Sequence, residues 1–188
     1  MKKIIVIMDY KKRFGSKWDS IPYNSGMDTA ELEKYFLKRN YTVEFSEFSK
    51  IQNISNMKNF PVIYTSSEDI GFKYKDFIED IIYYLECKGA NTIPSYKFLK
   101  ANNNKVFMEL LRKIYGKKWD DKLDSFVFGS SDELDLASTN IDFPIIIKEP
   151  QGAQSRGVYL AKNNNKLKKI TKRISRFFSL FYDIKDFL

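Results

Sequence analysis

The sequence predicts an α/β protein, a small doubly wound parallel sheet over residues 1–95 followed by an α+β subdomain with an antiparallel sheet over residues 96–188. Three observations predict it. Short apolar runs alternate with helical periods as far as residue 95, the pattern of a parallel sheet. Past that point three apolar strands follow one another with little helix between them. The chain of 188 residues is 43% hydrophobic and 16% aromatic, enough to bury a core in one large domain or two small ones.

The elements follow in order. "KKIIVIMDY" opens with the unbroken apolar run Ile4 to Met8, which fits a strand covered on both faces. "DTAELEKYFLKRN" reads as a helix with Asp28 as N-cap, Glu31 three residues on, an apolar stripe of Leu32, Tyr35 and Phe36, and Asn40 at its end. "YTVEFSEF" alternates Tyr41, Val43 and Phe45 as a strand, and "FPVIYTSS" gives another around Val62 to Tyr64. The next helix carries Phe77, Ile78, Ile81, Ile82 and Leu85 on one face and Gly89 past its end. "ANTIPSY" is a short fourth strand.

In the second part, "NNNKVFMELLRKIYG" is an amphipathic helix with Val106, Phe107, Leu110, Leu111 and Ile114 inward, capped by Asn103 or Asn104 and ended by Gly116. "DSFVFGS", "FPIIIKEP" and "RGVYLAK" read as three antiparallel strands. A final helix from about Asn165 sets Leu167, Ile170, Ile174, Phe177, Phe178 and Phe181 along one side.

Composition narrows the chemistry. The formal charge of +8 admits phosphate-bearing partners: nucleotides, nucleic acid or an anionic membrane surface. No apolar run approaches the length of a membrane span, so a cytoplasmic location is expected. The single cysteine, Cys87, forms no internal disulfide and is expected as a half-buried thiol on a helix. The chain has no histidine, so Ser-His-Asp and Cys-His pairs and histidine-bound metals are excluded. Chemistry must run on Lys, Arg, Asp, Glu, hydroxyls and backbone amides, an inventory suited to phosphoryl and acyl-phosphate transfer.

The run "FPIIIKEPQGAQSRGVYLA" concentrates that inventory. Lys148 ends an apolar strand, where desolvation of its stem calls for an anionic partner. The partner is either Glu149 or an acid of the next strand, or else a ligand. Behind it Gly152, Ala153, Ser155 and Gly157 are small enough for backbone amides to approach an anion, and Arg156 adds a planar fork. A long plain hairpin is the alternative.

This run resembles the phosphate-binding hairpin of the ATP-grasp superfamily, as found in biotin-carboxylase-like and D-alanine ligase-like members. Lys105, after Asn104, is similar to that family's first nucleotide-contacting lysine. The resemblance implies that Lys105 and Lys148 reach the ATP phosphates, with Gly152, Ser155, Arg156 and Gly157 in a loop closing over them. It implies an ATP-dependent carboxylate ligase of the carboxylate-amine or carboxylate-thiol type, working through an acyl phosphate on a small carboxylate substrate. Residues 1–95 look like the domain that precedes an ATP-grasp fold, and 96–188 like its first half. The magnesium ligands are expected in a second half beyond Leu188, so these residues alone are expected to be inactive. A homo-oligomer is admitted.

Three other features have functional readings. The loop "YKKRFGSKWDSIPYNSG" leaves the end of the first strand, where α/β sheets bind ligands. There Lys11, Arg13 and Lys17 are candidates for an acidic substrate, with Trp18 and Tyr23 as an apolar wall; a solvated loop is equally expected. "TSSED", residues 65–69, reads as helix capping by Ser66 or Ser67 with Asp69 at the helix start. In the final helix, Lys166, Lys168, Lys169, Lys172, Arg173 and Arg176 fit a solvated face or an anionic surface. No specific nucleic-acid motif is present. A non-catalytic nucleotide-binding or scaffold domain, or a basic anion-surface binder, is the alternative function.

Overall fold

The computed structural model describes residues 2–15, 26–54, 57–66, 71–116, 124–137, 141–152 and 155–175. The chain divides into two compact units, residues 1–100 and 101–188. Among the described residues no helix is long and apolar enough to cross a membrane.

The first unit is built on a parallel four-stranded sheet of order β2-β1-β3-β4. Its strands are β1 (Lys2–Met8), β2 (Tyr41–Glu47), β3 (Pro61–Tyr64) and β4 (Asn91–Ile93), with helices α1 (Thr29–Leu37), α2 (Phe48–Ile51), α3 (Lys73–Cys87) and α4 (Tyr96–Ala101) between and after them. β1 lies centrally and buries Ile4 to Ile7 on both faces, as its unbroken apolar run demands. One core joins Ile5, Ile7, Val62 and Tyr64 of the sheet to Phe48 and Ile51 of α2 and Ile78, Ile82 and Leu85 of α3.

Local signals set the helix ends. The Asp28 carboxylate accepts from Ala30 N and Glu31 N at 2.9 and 3.1 Å, and Asn40 and Gly89 take the left-handed conformation that stops α1 and α3. α3 begins differently from the expectation. Its N-cap position is Phe72, with no side-chain cap, so Ser66 does not serve there; Ser67 and Asp69 lie outside the described residues. Cys87 is exposed rather than half-buried, because the last turn of α3 points it away from the row of Ile78, Ile82 and Leu85.

The second unit holds α5 (Lys105–Tyr115), α6 (Ser131–Ala137), the hairpin strands β5 (Ile145–Lys148) and β6 (Val158–Ala161), and α7 (Asn164–Ile174). β5 and β6 form a two-stranded antiparallel sheet. Its core gathers Leu134, Ala161, Leu167 and Ile170, with Phe128, Phe143, Ile145, Ile147, Tyr159 and Ile174 packed against it. Asn104 and Asn163 cap α5 and α7, accepting from Phe107 N at 3.0 Å and Lys166 N at 2.9 Å. Phe177, Phe178, Phe181 and Arg176 lie outside the described residues.

Two expectations fail here. The segment 124–130 is not a strand. Its Ser125 is held instead by α5, where the Lys113 ammonium donates to the Ser125 carbonyl at 2.8 Å and the Ser125 hydroxyl donates to Glu109. The apolar stripe of α5 is only partly buried: Val106, Phe107 and Leu111 are half-buried, while Leu110 is 43% and Ile114 62% exposed. The helix is fastened by polar side chains at its ends rather than by that stripe.

Candidate functional site

The hairpin of the second unit decides where Lys148 points. Ile145, Ile147 and Glu149 alternate with Ile146, Lys148 and Pro150, and the first set faces the core. Lys148 therefore stands on the opposite, exposed face beside Ile146, with Val158 across the ladder. No acidic side chain among the described residues pairs with it. Glu149, the intramolecular alternative, is on the other face, where the Tyr159 hydroxyl donates to it at 2.7 Å. That bond raises the Tyr159 pKa, with burial and the Glu149 charge adding to it. Tyr159 escaped the sequence reading, although continuing the period of Ile145 and Ile147 through the turn sets the two side chains on one face.

The loop between the strands is closed and shaped by its backbone. Glu149 N–H donates to Gly157 O at 2.7 Å. Gly152 and Gly157 have φ of +117° and +68°. A Cβ would lie 2.9 Å from Arg156 O at the first and 2.9 Å from Glu149 Cβ at the second. Both positions thus require glycine for conformation and for close approach. Ser155, at φ +63°, and Arg156 stand exposed at the far side of the turn. Ala153 lies outside the described residues.

Lys105 meets this loop. Its backbone N–H, one of the unsatisfied donors of the first turn of α5, bonds Pro150 O at 2.8 Å. Its ammonium donates to Gln151 O at 3.1 Å and Gly152 O at 2.8 Å. The lysine from one end of the unit's sequence and the loop from the middle are thereby one assembly, with a cation against loop carbonyls and two more, Lys148 and Arg156, exposed on the same hairpin. Cations and small-residue backbone on one hairpin are the kinds of group that neutralise an anion.

In the first unit, the loop after β1 is also organised. The Asp9 carboxylate accepts from Lys11 N at 2.8 Å and Arg13 N at 2.9 Å, and Gly15 N donates to the Thr65 hydroxyl at the end of β3 at 3.1 Å. Met27 N–H closes the loop on Phe14 O at 2.7 Å. Residues 9–15, so fixed, stand at the carboxyl ends of β1 and β3, where the strand order reverses. Lys11 is exposed with its ammonium over the Tyr10 ring. Lys17, Trp18 and Tyr23 lie outside the described residues. Nearby, burial pushes the Tyr74 hydroxyl up to about 12, and Tyr10 N–H donates to it.

No family model matches the chain, and no curated protein matches it in sequence. Among solved structures it is similar to the ATP-grasp RimK domain protein of Sphaerobacter thermophilus, at 12% identity and a TM-score of 0.42 over 94% of this chain and 64% of that one. It is also similar to the D-alanine–D-alanine ligase of Bacillus anthracis, at 16% identity and a TM-score of 0.38 over 93% of this chain and 54% of that one. The chain thus spans less than two thirds of the length of either.

Proposed function

We propose that the chain is the N-terminal part of an ATP-dependent carboxylate ligase of ATP-grasp type, and that its second unit binds the ATP phosphates. The observation that carries this is the clasp of Lys105 on the carbonyls of Gln151 and Gly152, on a hairpin whose Lys148 ammonium is exposed and free of Glu149. Lys105, Lys148 and Arg156 supply three cations against the triphosphate. The Ser155 hydroxyl adds a donor, as phosphate recognition requires. Bound ATP would supply the phosphoryl group that activates a carboxylate by forming an acyl phosphate, from which an amine or thiol displaces phosphate. In the first unit, Lys11 and Arg13 are separate candidates for an anionic ligand. Magnesium would accompany the bound nucleotide; among the described residues no group of three or more acidic side chains is placed to hold it.

The test is calorimetric titration of the chain with ATP and magnesium. Lys148→Ala and Lys105→Ala should each weaken binding by about tenfold or more, equivalent to about 1.4 kcal/mol, with the far-ultraviolet spectrum unchanged. Equal affinity in the wild type and Lys148→Ala would overturn the reading.

A further inference from the structure

The outer edge of β6 is paired by no other strand among the described residues. Glu149 N–H donates to Gly157 O, so these residues form a hydrogen-bonded pair. Antiparallel ladders alternate such pairs with non-bonded ones. Ile147 opposite Tyr159 and Ile145 opposite Ala161 then bond inward, and Val158 and Leu160 turn their N–H and C=O groups outward. Donors and acceptors at alternate residues of an open edge are the template on which an extended chain adds as a strand.

What flanks the edge defines what would bind. A groove of about 460 Å³ runs between Val158, Tyr159 and Leu160 on one side and Lys166, Lys169 and Arg173 of α7 on the other. The three cations recur at i, i+3 and i+7 on one helical face, a spacing at which like charges repel. None has an acidic partner among the described residues; the ion pair of α7 is Lys168 with Asp135, at 3.3 Å. Arg173 lies over the Tyr159 ring, 4.9 Å from its centroid. On the opposite face of the sheet, Val158 and Leu160 are 36% and 46% exposed and Ile146 is 56% exposed. One face of an added strand would meet the α7 cations and the other the apolar side chains of β6, with Lys148 one strand further in.

We propose that the β6 edge takes an extended polypeptide segment in which acidic and apolar residues alternate. Its backbone bonds Val158 and Leu160, its carboxylates meet Lys166, Lys169 and Arg173, and its apolar side chains cover Val158, Leu160 and Ile146. The period of two in a strand delivers each set to its own face. A second copy of β6 is a poor occupant, because two-fold pairing sets the same cations against one another. A small phosphate would use the cations alone and leave the open edge without a role.

The experiment titrates the isotope-labelled full chain with a synthetic peptide of alternating glutamate and valine, and separately with one of alternating lysine and valine. The acidic peptide should protect the Val158 and Leu160 amides from exchange. Its affinity should fall about tenfold or more in the double variant Lys166→Glu, Lys169→Glu, and in Leu160→Pro, which removes one outward N–H and leaves the inner ladder intact. Lys148→Ala should bind the peptide as the wild type does, which separates this site from the nucleotide reading. Should Leu160→Pro disturb the hairpin, the charge-reversed variant decides alone. The proposal falls if the lysine peptide binds equally, if charge reversal changes nothing, or if inorganic phosphate or a single-stranded oligonucleotide displaces the peptide with equal affinity.

Discussion

Glu79 is a buried carboxylate shared by two lysines of the first unit. It is 4% exposed, as is Lys75, whose ammonium pairs with one of its oxygens. The Lys100 ammonium meets the other at 2.5 Å, which raises the Lys100 pKa. Removing one member of a buried pair leaves the other charge without that compensation. Glu79→Ala should therefore lower the unfolding free energy by about 3 kcal/mol or more, whereas Lys100→Ala, truncating a partly exposed partner, should cost about 1 kcal/mol or less; urea denaturation of both variants checks the contrast. Gly157 answers to backbone geometry instead. A methyl group there meets Glu149 and holds an L-residue at positive φ, so Gly157→Ala should cost about 2 kcal/mol, read from the same denaturation.

At the scale of elements, α5 is held by a polar knot: Arg112 Nη2 and Nε donate to Glu109 at 2.6 and 3.0 Å, and the Ser125 hydroxyl donates to the same carboxylate. The Arg112 guanidinium holds the Glu109 carboxyl below its usual range, against the opposing effect of burial. A depressed folded-state pKa contributes stability that is present above the unfolded value of about 4.3 and is lost as pH falls through the folded one. Urea midpoints should consequently show Glu109→Gln less stable than the wild type at neutral pH, with the gap narrowing at pH of about 3. The same knot explains what the sequence concealed. "DSFVFGS" alternates as a strand does, but its Ser125 is claimed by Glu109, Arg112 and Lys113 of the preceding helix, and no pattern within the segment carries that. α6 was legible and went unread: Ser130 is followed three residues later by Glu133, and Gly129 N and Glu133 N bond the Glu133 carboxylate and the Ser130 hydroxyl at 2.6 and 3.2 Å. Caps such as Asp28 and Asn104 were readable because a cap and its partners lie within one turn.

The whole molecule is two units with separate cores, and much of that plan was visible in the shift from alternating strand and helix to a hairpin. The geometry of Lys105 was visible only as a residue type at a helix start; its bonds to Gln151 and Gly152 arise from chain closure over more than forty positions. The two cores are unequal. Among the described residues, twelve buried side chains anchor the first and four anchor the second. The smaller core has less apolar burial to set against the entropy of ordering its backbone. Heating should then melt residues 101–188 before residues 1–100, as two separate heat-absorption peaks. Mass action makes that weakness useful: any occupant of the hairpin stabilises only the folded form, by about 2.7 kcal/mol at a hundredfold excess over its dissociation constant. A compound that lifts the lower peak and leaves the upper one unmoved identifies itself as a ligand of the second unit before its binding site is mapped.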